Sequence, residues 1–305
     1  MADVSQPATD ASTLTYRQGV LLVLLAGLLW SSMGVGIRYM EVANVWQILF
    51  YRSCALTPFL FIIISLRTGG RPVPAIRKTG TAGVVGGLGL VLAFSGGIFA
   101  IQATTVANAM FLFAAAPFFA ALLGRVLLGE RVRNATWIAI AVATAGIVVM
   151  VWEGISLGHM IGNVAALISA LGFAVFTVAI RWRKLDDMMP TVFLGGSFAI
   201  ITSGIVCYGA EYTLDIPLND IVIALSLGVF QVGAGLAVYT VGSQVVPAAE
   251  LTLLSMLEVV LGPIWVWILL GETAGTYTLL GGTVLLAAIA GNALSGLRRK
   301  PTPIL

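Results

Sequence analysis

Residues 127–133 read LLGERVR, and residues 269–275 read LLGETAG. Each stretch ends a long apolar run, and the Gly-Glu pairs inside the two stretches stand 142 positions apart. Two arginines follow the first pair, whereas the second stretch contains no basic residue. A repeated apolar unit that keeps its positive charge in one copy only is the pattern expected of two units that cross a membrane in opposite directions.

The composition is that of an integral membrane protein. Of the 305 residues, 59% are hydrophobic and 10% are charged, and the mean hydropathy is +1.02. Soluble domains are about 45–50% apolar and about 25% charged. The net charge of +3 comes from short basic clusters between apolar runs. The charge therefore indicates membrane topology and argues against binding to nucleic acid.

Breaks at charged residues, Pro and Asn divide the chain into ten apolar runs of about the 20 residues that a helix needs to cross a bilayer. We therefore predict an all-α fold of ten transmembrane helices. The connections are short, and they leave no soluble domain for ATP hydrolysis. Residues 1–16 are predicted to form a polar tail and residues 298–305 a basic tail. The predicted spans are 19–40, 45–66, 79–101, 105–128, 135–152, 159–181, 190–210, 219–241, 249–270 and 276–296.

The repeat extends beyond the Gly-Glu pairs. Residues 19–38 match residues 162–181 at six positions with an offset of 143, and Arg38 aligns with Arg181. Together with the pairs, this predicts two five-helix repeats, residues 17–155 and 156–297. An odd number of spans turns the second repeat upside down. Inverted repeats of this kind place the substrate site near the midplane between the two units.

The basic residues predict that both termini are cytoplasmic. With this orientation, 14 of the 16 Lys and Arg residues lie on the inner side, as the positive-inside rule requires. The exceptions are Arg38 and Arg52, which approach the outer face. We expect both to extend toward the membrane surface or to pair with Glu41, and Arg38 could instead bind a carboxylate there.

The paired motifs and the ten-span architecture resemble the drug/metabolite transporter superfamily, specifically its EamA-type members, over essentially the whole chain. One departure is Val259, where many relatives have proline after the glutamate. Pro263, four residues later, could supply the helix distortion instead. The stretches that carry the resemblance are Leu28-Leu29-Trp30-Ser31-Ser32, Ala116-Pro117, Leu127-Leu128-Gly129-Glu130, Leu257-Glu258 and Leu269-Leu270-Gly271-Glu272.

The resemblance implies transport of a small solute across a bacterial inner membrane without ATP hydrolysis, often as export. The neutral, aromatic-rich interior is most similar to that of exporters of neutral and aromatic amino acids. The alternative is a broader drug or metabolite exporter, coupled or not to protons. A carrier of anionic solutes would need buried Lys or Arg, and every lysine lies in a loop or tail. We expect a monomer whose partners are the lipid bilayer and a small solute, with no nucleic acid, cofactor or metal.

Glu258 is the most informative side chain of the predicted site. It lies well inside the ninth span, and an acidic residue at that depth is costly enough to indicate function. Thr252, Ser255, Glu258 and Gly262 form one small or polar stripe at helical spacing. Glu258 could contact a substrate ammonium or carry a coupling proton. The alternative is a packing role, in which it hydrogen-bonds a neighbouring helix.

Further cavity candidates are aromatic and amide side chains, because a pocket for an amphipathic solute needs apolar walls with a few polar groups. Each of them could instead face lipid or the helix core. These candidates are Phe94, Gln102, Asn108, Phe111, Phe173, Phe176, Gln231 and Tyr239. Gly129, Glu130, Gly271 and Glu272 are expected to be structural markers of the repeat, because glycine readily ends a helix in a left-handed conformation.

Two other classes of protein are disfavoured. An intramembrane enzyme would need grouped acids, histidines or a nucleophile with a base, but Asp186 and Asp187 form a loop pair and His159 is the only histidine. No lysine follows a glycine, so the chain has no phosphate-binding Walker A motif. A scaffold or receptor would have no use for an inverted repeat. Cys54 and Cys207 lie in separate apolar runs and are expected to be small core residues.

Overall fold

The computed structural model describes residues 14–156 and 159–297, and helices make up nearly all of this part of the chain. A π-helix covers Leu227–Ala234. The α-helices are α1 (Tyr16–Trp30), α2 (Met33–Arg38), α3 (Val45–Arg67), α4 (Pro72–Lys78), α5 (Gly80–Ala103), α6 (Val106–Phe113), α7 (Ala116–Leu128), α8 (Asn134–Ser156), α9 (Met160–Trp182), α10 (Met189–Gly209), α11 (Leu218–Ser226), α12 (Gly235–Gly242), α13 (Ala248–Leu270) and α14 (Thr276–Leu297).

Ten helical segments in these ranges are long and apolar enough to cross a membrane, which confirms the all-α fold and the predicted number of spans. The predicted boundary between the third and fourth spans is present, because α5 ends at Ala103 and α6 begins at Val106. The segments are Tyr16–Arg38, Val45–Arg67, Gly80–Ala103, Val106–Leu128, Asn134–Trp152, Met160–Trp182, Met189–Gly209, Leu218–Gly242, Glu250–Leu270 and Thr276–Gly296.

Three spans contain interruptions that the hydropathy pattern does not predict. The first span breaks between α1 and α2, where the Ser31 and Ser32 hydroxyls donate to carbonyls three residues earlier at 2.7 and 2.6 Å. Such bonds compete with the helical backbone pattern. The fourth span breaks before α7, which has Pro117 in its first turn. The eighth span changes to a π-helix between α11 and α12.

Glycines allow the two halves of the chain to pack backbone against backbone. A Cβ placed on Gly172 of α9 would lie only 2.6 Å from the carbonyl oxygen of Gly89 of α5. The same relation joins α8 to α14, where a Cβ on Gly281 would lie 2.4 Å from the carbonyl oxygen of Gly146. These contacts fit the rule that small residues line close helix crossings in membranes.

One contact between the halves recurs with the offset of the sequence repeat. A Cβ on Gly19 would lie 3.1 Å from Val246, and a Cβ on Gly162 would lie 2.8 Å from the backbone of Ala103. Gly162 is 143 positions after Gly19, and Ala103 is 143 positions before Val246. Equivalent positions of the repeat are therefore in contact twice. In one contact the first half supplies the glycine, and in the other contact the second half supplies it.

Asp220, at the start of α11, fixes the connection between α2 and α3. Its fully buried carboxylate accepts the backbone N–H groups of Glu41, Val42 and Ala43 at 2.9, 3.0 and 2.9 Å. Buried N–H groups need partners. The carboxylate therefore replaces water for three successive amides and ties the first half of the chain to the second.

Asp220→Ala is expected to lower the free energy of unfolding by about 3 kcal/mol, because it removes the acceptor of three amides, of which that of Ala43 is buried. The measurement is the melting temperature of the purified protein in detergent. Asp215→Ala is the matched control, since Asp215 lies in the same loop region and is exposed. Equal melting temperatures for the two variants would show that the three hydrogen bonds contribute nothing to stability.

Candidate functional site

The two Gly-Glu pairs end helices in the same way. Gly129 follows α7 with φ +68°, and Gly271 follows α13 with φ +67°, so both glycines adopt the left-handed conformation that was predicted for them. In both copies the amide of the following glutamate donates to a carbonyl six residues earlier, at 3.2 Å for Glu130 and 3.3 Å for Glu272. The glutamate side chains are therefore left to make other contacts.

Each of these glutamates forms an ion pair with an arginine of the other half of the chain. Glu272 lies 2.8 Å from Arg38, and Glu130 lies 2.9 Å from Arg181. The prediction that Arg38 extends to the surface or pairs with Glu41 is therefore wrong. The two arginines align in the sequence repeat, and so do the two glutamates, so each half supplies the arginine of one pair and the glutamate of the other.

Further hydrogen bonds strengthen the contact at the Glu272 end of the molecule. Glu272 also accepts the Val106 amide at 2.6 Å, and Arg38 donates to the Thr104 carbonyl at 2.7 Å. At the Glu130 end, Arg181 donates to the Ala120 carbonyl at 2.8 Å, and Tyr16 donates to Glu250. Both ends are thus linked by polar contacts between the two halves of the chain.

Glu258 lies in the middle of α13, about 15 Å from the first residue of that helix and about 18 Å from its last by helical rise. The side chain is half-buried. Within the described part of the chain its carboxylate has no hydrogen bond and no ion pair. The hydrogen bond to a neighbouring helix that the alternative prediction requires is not seen among the described residues, and the role of Glu258 stays a prediction.

Three further predicted residues meet around Trp30, and we call Trp30, Gln231, Tyr239 and Ser255 the Trp30 cluster. The Tyr239 ring packs on Trp30 with centroids 5.1 Å apart, and its hydroxyl interacts with Ser255. Gln231 donates to the Trp30 carbonyl at 3.4 Å. Ser255 is one turn before Glu258 on the same face of α13, so the cluster adjoins the unpaired carboxylate.

Trp30 itself was missed as a site residue. The sequence shows it inside an apolar span, where an aromatic side chain faces lipid or core as readily as a cavity. Its indole is accommodated by Gly235, because a Cβ at that position would lie 2.4 Å from the indole Nε1. An aromatic residue in one span and a glycine in another can indicate a contact. The sequence reveals that contact only when it is already known that the two spans are neighbours.

Several predicted residues lie elsewhere and contact other helices. Gln102 is exposed and donates to the Ala43 carbonyl at 2.9 Å. Asn108 is buried and hydrogen-bonds Asn163 of α9. Phe111 is buried against Gly282 of α14. These three side chains hold helices and loops together in this structure, and their predicted role in a cavity stays a prediction.

The predicted phenylalanines divide between two places. Phe173 stacks on Phe113 and on Phe176 with centroid distances of 5.6 and 5.5 Å, and Phe176 is buried in the helix core. Phe94 is half-buried and lies under the guanidinium group of Arg52, 4.5 Å from Cζ to the ring centroid. Arg52 is fully enclosed, so the expectation that it extends to the surface or pairs with Glu41 is wrong.

A crevice of about 270 Å³ opens at the Glu130 end and reaches α13. Thr252, the first residue of the predicted polar stripe, lines it two turns before Glu258. Ligand sites usually measure about 300–1,000 Å³, so the crevice is slightly smaller than a usual ligand site. Its lining residues are Pro117, Phe118, Arg133, Thr252, Ile289, Asn292, Ala293 and Gly296.

The described residues contain no group of three His, Cys, Asp or Glu side chains that could hold a metal ion. Cys54 and Cys207 are free thiols, half-buried and buried, respectively. The candidate site is therefore made of aromatic rings, amide and hydroxyl groups, and one unpaired carboxylate between membrane-length helices. Such a site suits binding of a small amphipathic solute and defines a multi-pass membrane protein of the transporter class.

The family follows from comparison with known proteins. The model of the EamA-like transporter family matches the chain twice, over residues 17–152 and 160–294. The chain belongs to this family, within the drug/metabolite transporter superfamily. A solved crystal structure has the same fold, with a TM-score of 0.64 and 20% sequence identity, and the match covers 94% of this chain and 100% of the other.

Two relatives that match most of the chain are transporters by name, and a third matches about half of it. The pseudopaline exporter CntI of Pseudomonas aeruginosa is 25% identical over 280 residues, which cover 89% of this chain and 94% of the relative. An uncharacterized transporter of Archaeoglobus fulgidus is 25% identical over 283 residues, covering 90% and 95%. Protein RarD of Salmonella typhi is 30% identical over 144 residues, covering 45% and 47%.

Proposed function

We propose that the protein exports small neutral or amphipathic metabolites by alternating access without ATP hydrolysis. The foremost proposed solutes are amino acids, including aromatic ones. The observation that carries the proposal is the unpaired Glu258 carboxylate beside the Trp30 cluster. A carboxylate suits the ammonium group of an amino acid, and aromatic rings suit an apolar side chain. The name of the relative CntI supports the direction, since that protein is an exporter.

We further propose that the two halves, residues 17–155 and 156–297, form an inverted repeat with both termini in the cytoplasm of a bacterial cell and the spans in its inner membrane. The reciprocal ion pairs and the recurring Gly19 and Gly162 contacts support this arrangement. In this orientation the Glu272 end is the outer end. The crevice at the Glu130 end then corresponds to a state that is opening to the inside.

Efflux from proteoliposomes tests the proposal. Vesicles that contain the purified protein are loaded with a panel of labelled amino acids, and release is compared with that from protein-free vesicles. We expect saturable release of neutral amino acids, with aromatic ones among the best. Movement of a cationic dye without movement of any amino acid would instead support the broader drug and metabolite exporter. Acceleration by an imposed pH gradient would identify coupling to protons, and its absence would identify a facilitator.

A further inference from the structure

Arg52 carries a charge inside the membrane-spanning part of the protein. It lies on α3, about 10 Å along the helix from Val45 by helical rise, and only 1% of its surface is exposed. A guanidinium group keeps its proton under physiological conditions. Charged side chains at such depth are costly and mark binding sites or transport pathways.

The charge has no counter-charge. The Nε and Nη2 atoms of Arg52 are buried without any hydrogen-bond partner, and no carboxylate among the described residues pairs with this side chain. By contrast, Arg38, Arg67 and Arg181 each pair with an acidic residue. Leaving a buried charge unpaired destabilises a fold, so the site is incomplete without an acceptor from elsewhere.

Two nitrogens of the guanidinium group, Nε and Nη2, lack an acceptor. Phe94 contacts the group, 4.5 Å from Cζ to the ring centroid, and as a hydrocarbon ring it supplies no conventional acceptor. Nε and one Nη nitrogen lie side by side in the guanidinium plane, where their N–H groups match the two oxygens of a carboxylate. A carboxylate would therefore supply the partners that Arg52 lacks.

The π-helix connects this position to the candidate site. Gly228 lies against the backbone of Arg52, since a Cβ there would be 2.2 Å from the Arg52 carbonyl oxygen. Three residues later, Gln231 contacts Trp30 and has a buried side-chain oxygen without a partner. Short π-helices occur often at functional sites. The segment Leu227–Ala234 thus packs on α3 at Arg52 and also reaches the Trp30 cluster.

We propose that Arg52 binds a carboxylate group of the transported solute, at a subsite distinct from the one that Glu258 offers to an ammonium group. This inference rests on the proposed transport function and specifies the solute as a monocarboxylate. Among the described residues no second Lys or Arg lies in the middle of a span. One cation matches one singly charged carboxylate, whereas a phosphate dianion would call for additional positive charge.

Three probes with the same ring separate the two subsites. Phenylalanine has both charged groups, 3-phenylpropionate lacks the ammonium group, and phenethylamine lacks the carboxylate. Fluxes are measured in proteoliposomes for the wild type, R52Q and R52K. We expect R52Q to reduce flux of both carboxylates at least about 30-fold, and flux of phenethylamine far less. R52K should lie between, because lysine keeps the charge but loses the planar pair of donors.

The matched control is R67Q, which removes an arginine from the end of the same helix, where it pairs with Asp187. It should not separate the three probes. A second measurement excludes a folding defect. The melting temperature of R52Q without solute should equal or exceed that of the wild type, because the substitution removes an unpaired charge. The rise in melting temperature that 3-phenylpropionate causes in the wild type should be lost.

The outcomes decide between the two proposals. Wild-type transport of 3-phenylpropionate without phenylalanine, lost in R52Q, supports the role of Arg52 and rejects amino acids as solutes. Phenylalanine transport that R52Q leaves unchanged supports the proposed function and rejects the role of Arg52. An equal loss of all three fluxes with a lower melting temperature identifies a structural arginine and overturns the inference. Absence of flux for both carboxylates in the wild type overturns it as well.

Discussion

Glu258→Gln is expected to abolish the acceleration of transport by a pH gradient. Glutamine keeps the size of the side chain and its ability to hydrogen-bond, but it cannot gain or lose a proton. Because the Glu258 carboxylate is half-buried and unpaired in the described structure, no neighbouring positive charge holds it in the ionised form. The groups beside it, Ser255 and Tyr239, are neutral, so protonation and solute binding can alternate at this one position.

The same substitution should also weaken binding of the ammonium group. A hydrogen bond to a charged partner contributes about 1.5–3 kcal/mol, so we expect flux of phenylalanine without a gradient to fall at least about tenfold. The measurement is uptake into proteoliposomes with and without an imposed pH difference. Variant vesicles that still respond to the gradient as the wild type does would rule out Glu258 as the coupling group.

Glu250→Gln is the matched control. Glu250 lies on the same helix, α13, and receives a hydrogen bond from Tyr16 at the end of the molecule away from the candidate site. Its substitution changes the same chemical group without changing the middle of the span. The pH response of this variant should therefore match that of the wild type. Loss of the response in both variants would point to a general effect of charge on α13.

The number of spans and the ends of the helices at the Gly-Glu pairs follow from local sequence. Apolar runs of about 20 residues leave few alternatives to a membrane helix, and glycine at the end of such a run favours a left-handed cap. Both effects depend on neighbours along the chain. The breaks at Ser31-Ser32 and at the π-helix are also local, but uniformly apolar surroundings hide them from a hydropathy pattern.

The contacts between the halves could not be predicted in the same way. The sequence predicts that Arg38 extends to the membrane surface or pairs with the nearby Glu41, whereas the observed partner is Glu272. The Glu41 amide is instead bound by Asp220. The repeat itself held the missing information, since Arg38 aligns with Arg181 and Glu130 with Glu272. These alignments predict contacts only when the relative position of the two halves is known. The sequence of a single span does not provide that position.

The candidate site was predicted in part for the same reason. Polar residues in the middle of spans identified Glu258, Gln231, Tyr239 and Ser255, because their chemistry is unusual in that setting. The sequence does not show which faces of different helices meet, so Gln102 and Asn108 were grouped with them although they bond elsewhere. The sequence predicts that Arg52 extends to the surface or pairs with Glu41, because burial of an unpaired arginine is unfavourable, whereas the structure encloses this side chain.

Gly172→Ala is expected to destabilise the protein strongly, because the new methyl group would press on the backbone of a neighbouring helix. The added Cβ would lie 2.6 Å from the Gly89 carbonyl oxygen and 2.7 Å from the Ala93 amide nitrogen. Both are backbone atoms, so no side-chain rotation can relieve the contact, and α5 and α9 must move apart. Separation would also stretch the hydrogen bond from Ser169 to the Ala93 carbonyl, now 2.6 Å. We expect a loss of about 3 kcal/mol, the upper end of the usual cost of overpacking.

Gly291→Ala is the matched control, and its expected change in stability has the opposite sign. Gly291 lies within α14, and a Cβ there would have no atom within 4 Å. Replacing a helical glycine at an open position removes backbone freedom from the unfolded chain and stabilises by about 0.4–1 kcal/mol. Melting temperatures in detergent should therefore fall for Gly172→Ala and stay level or rise for Gly291→Ala. If the Gly172→Ala variant has the melting temperature of the wild type, α5 and α9 can separate at no cost in stability. Close packing would then not be what holds the third and sixth spans together.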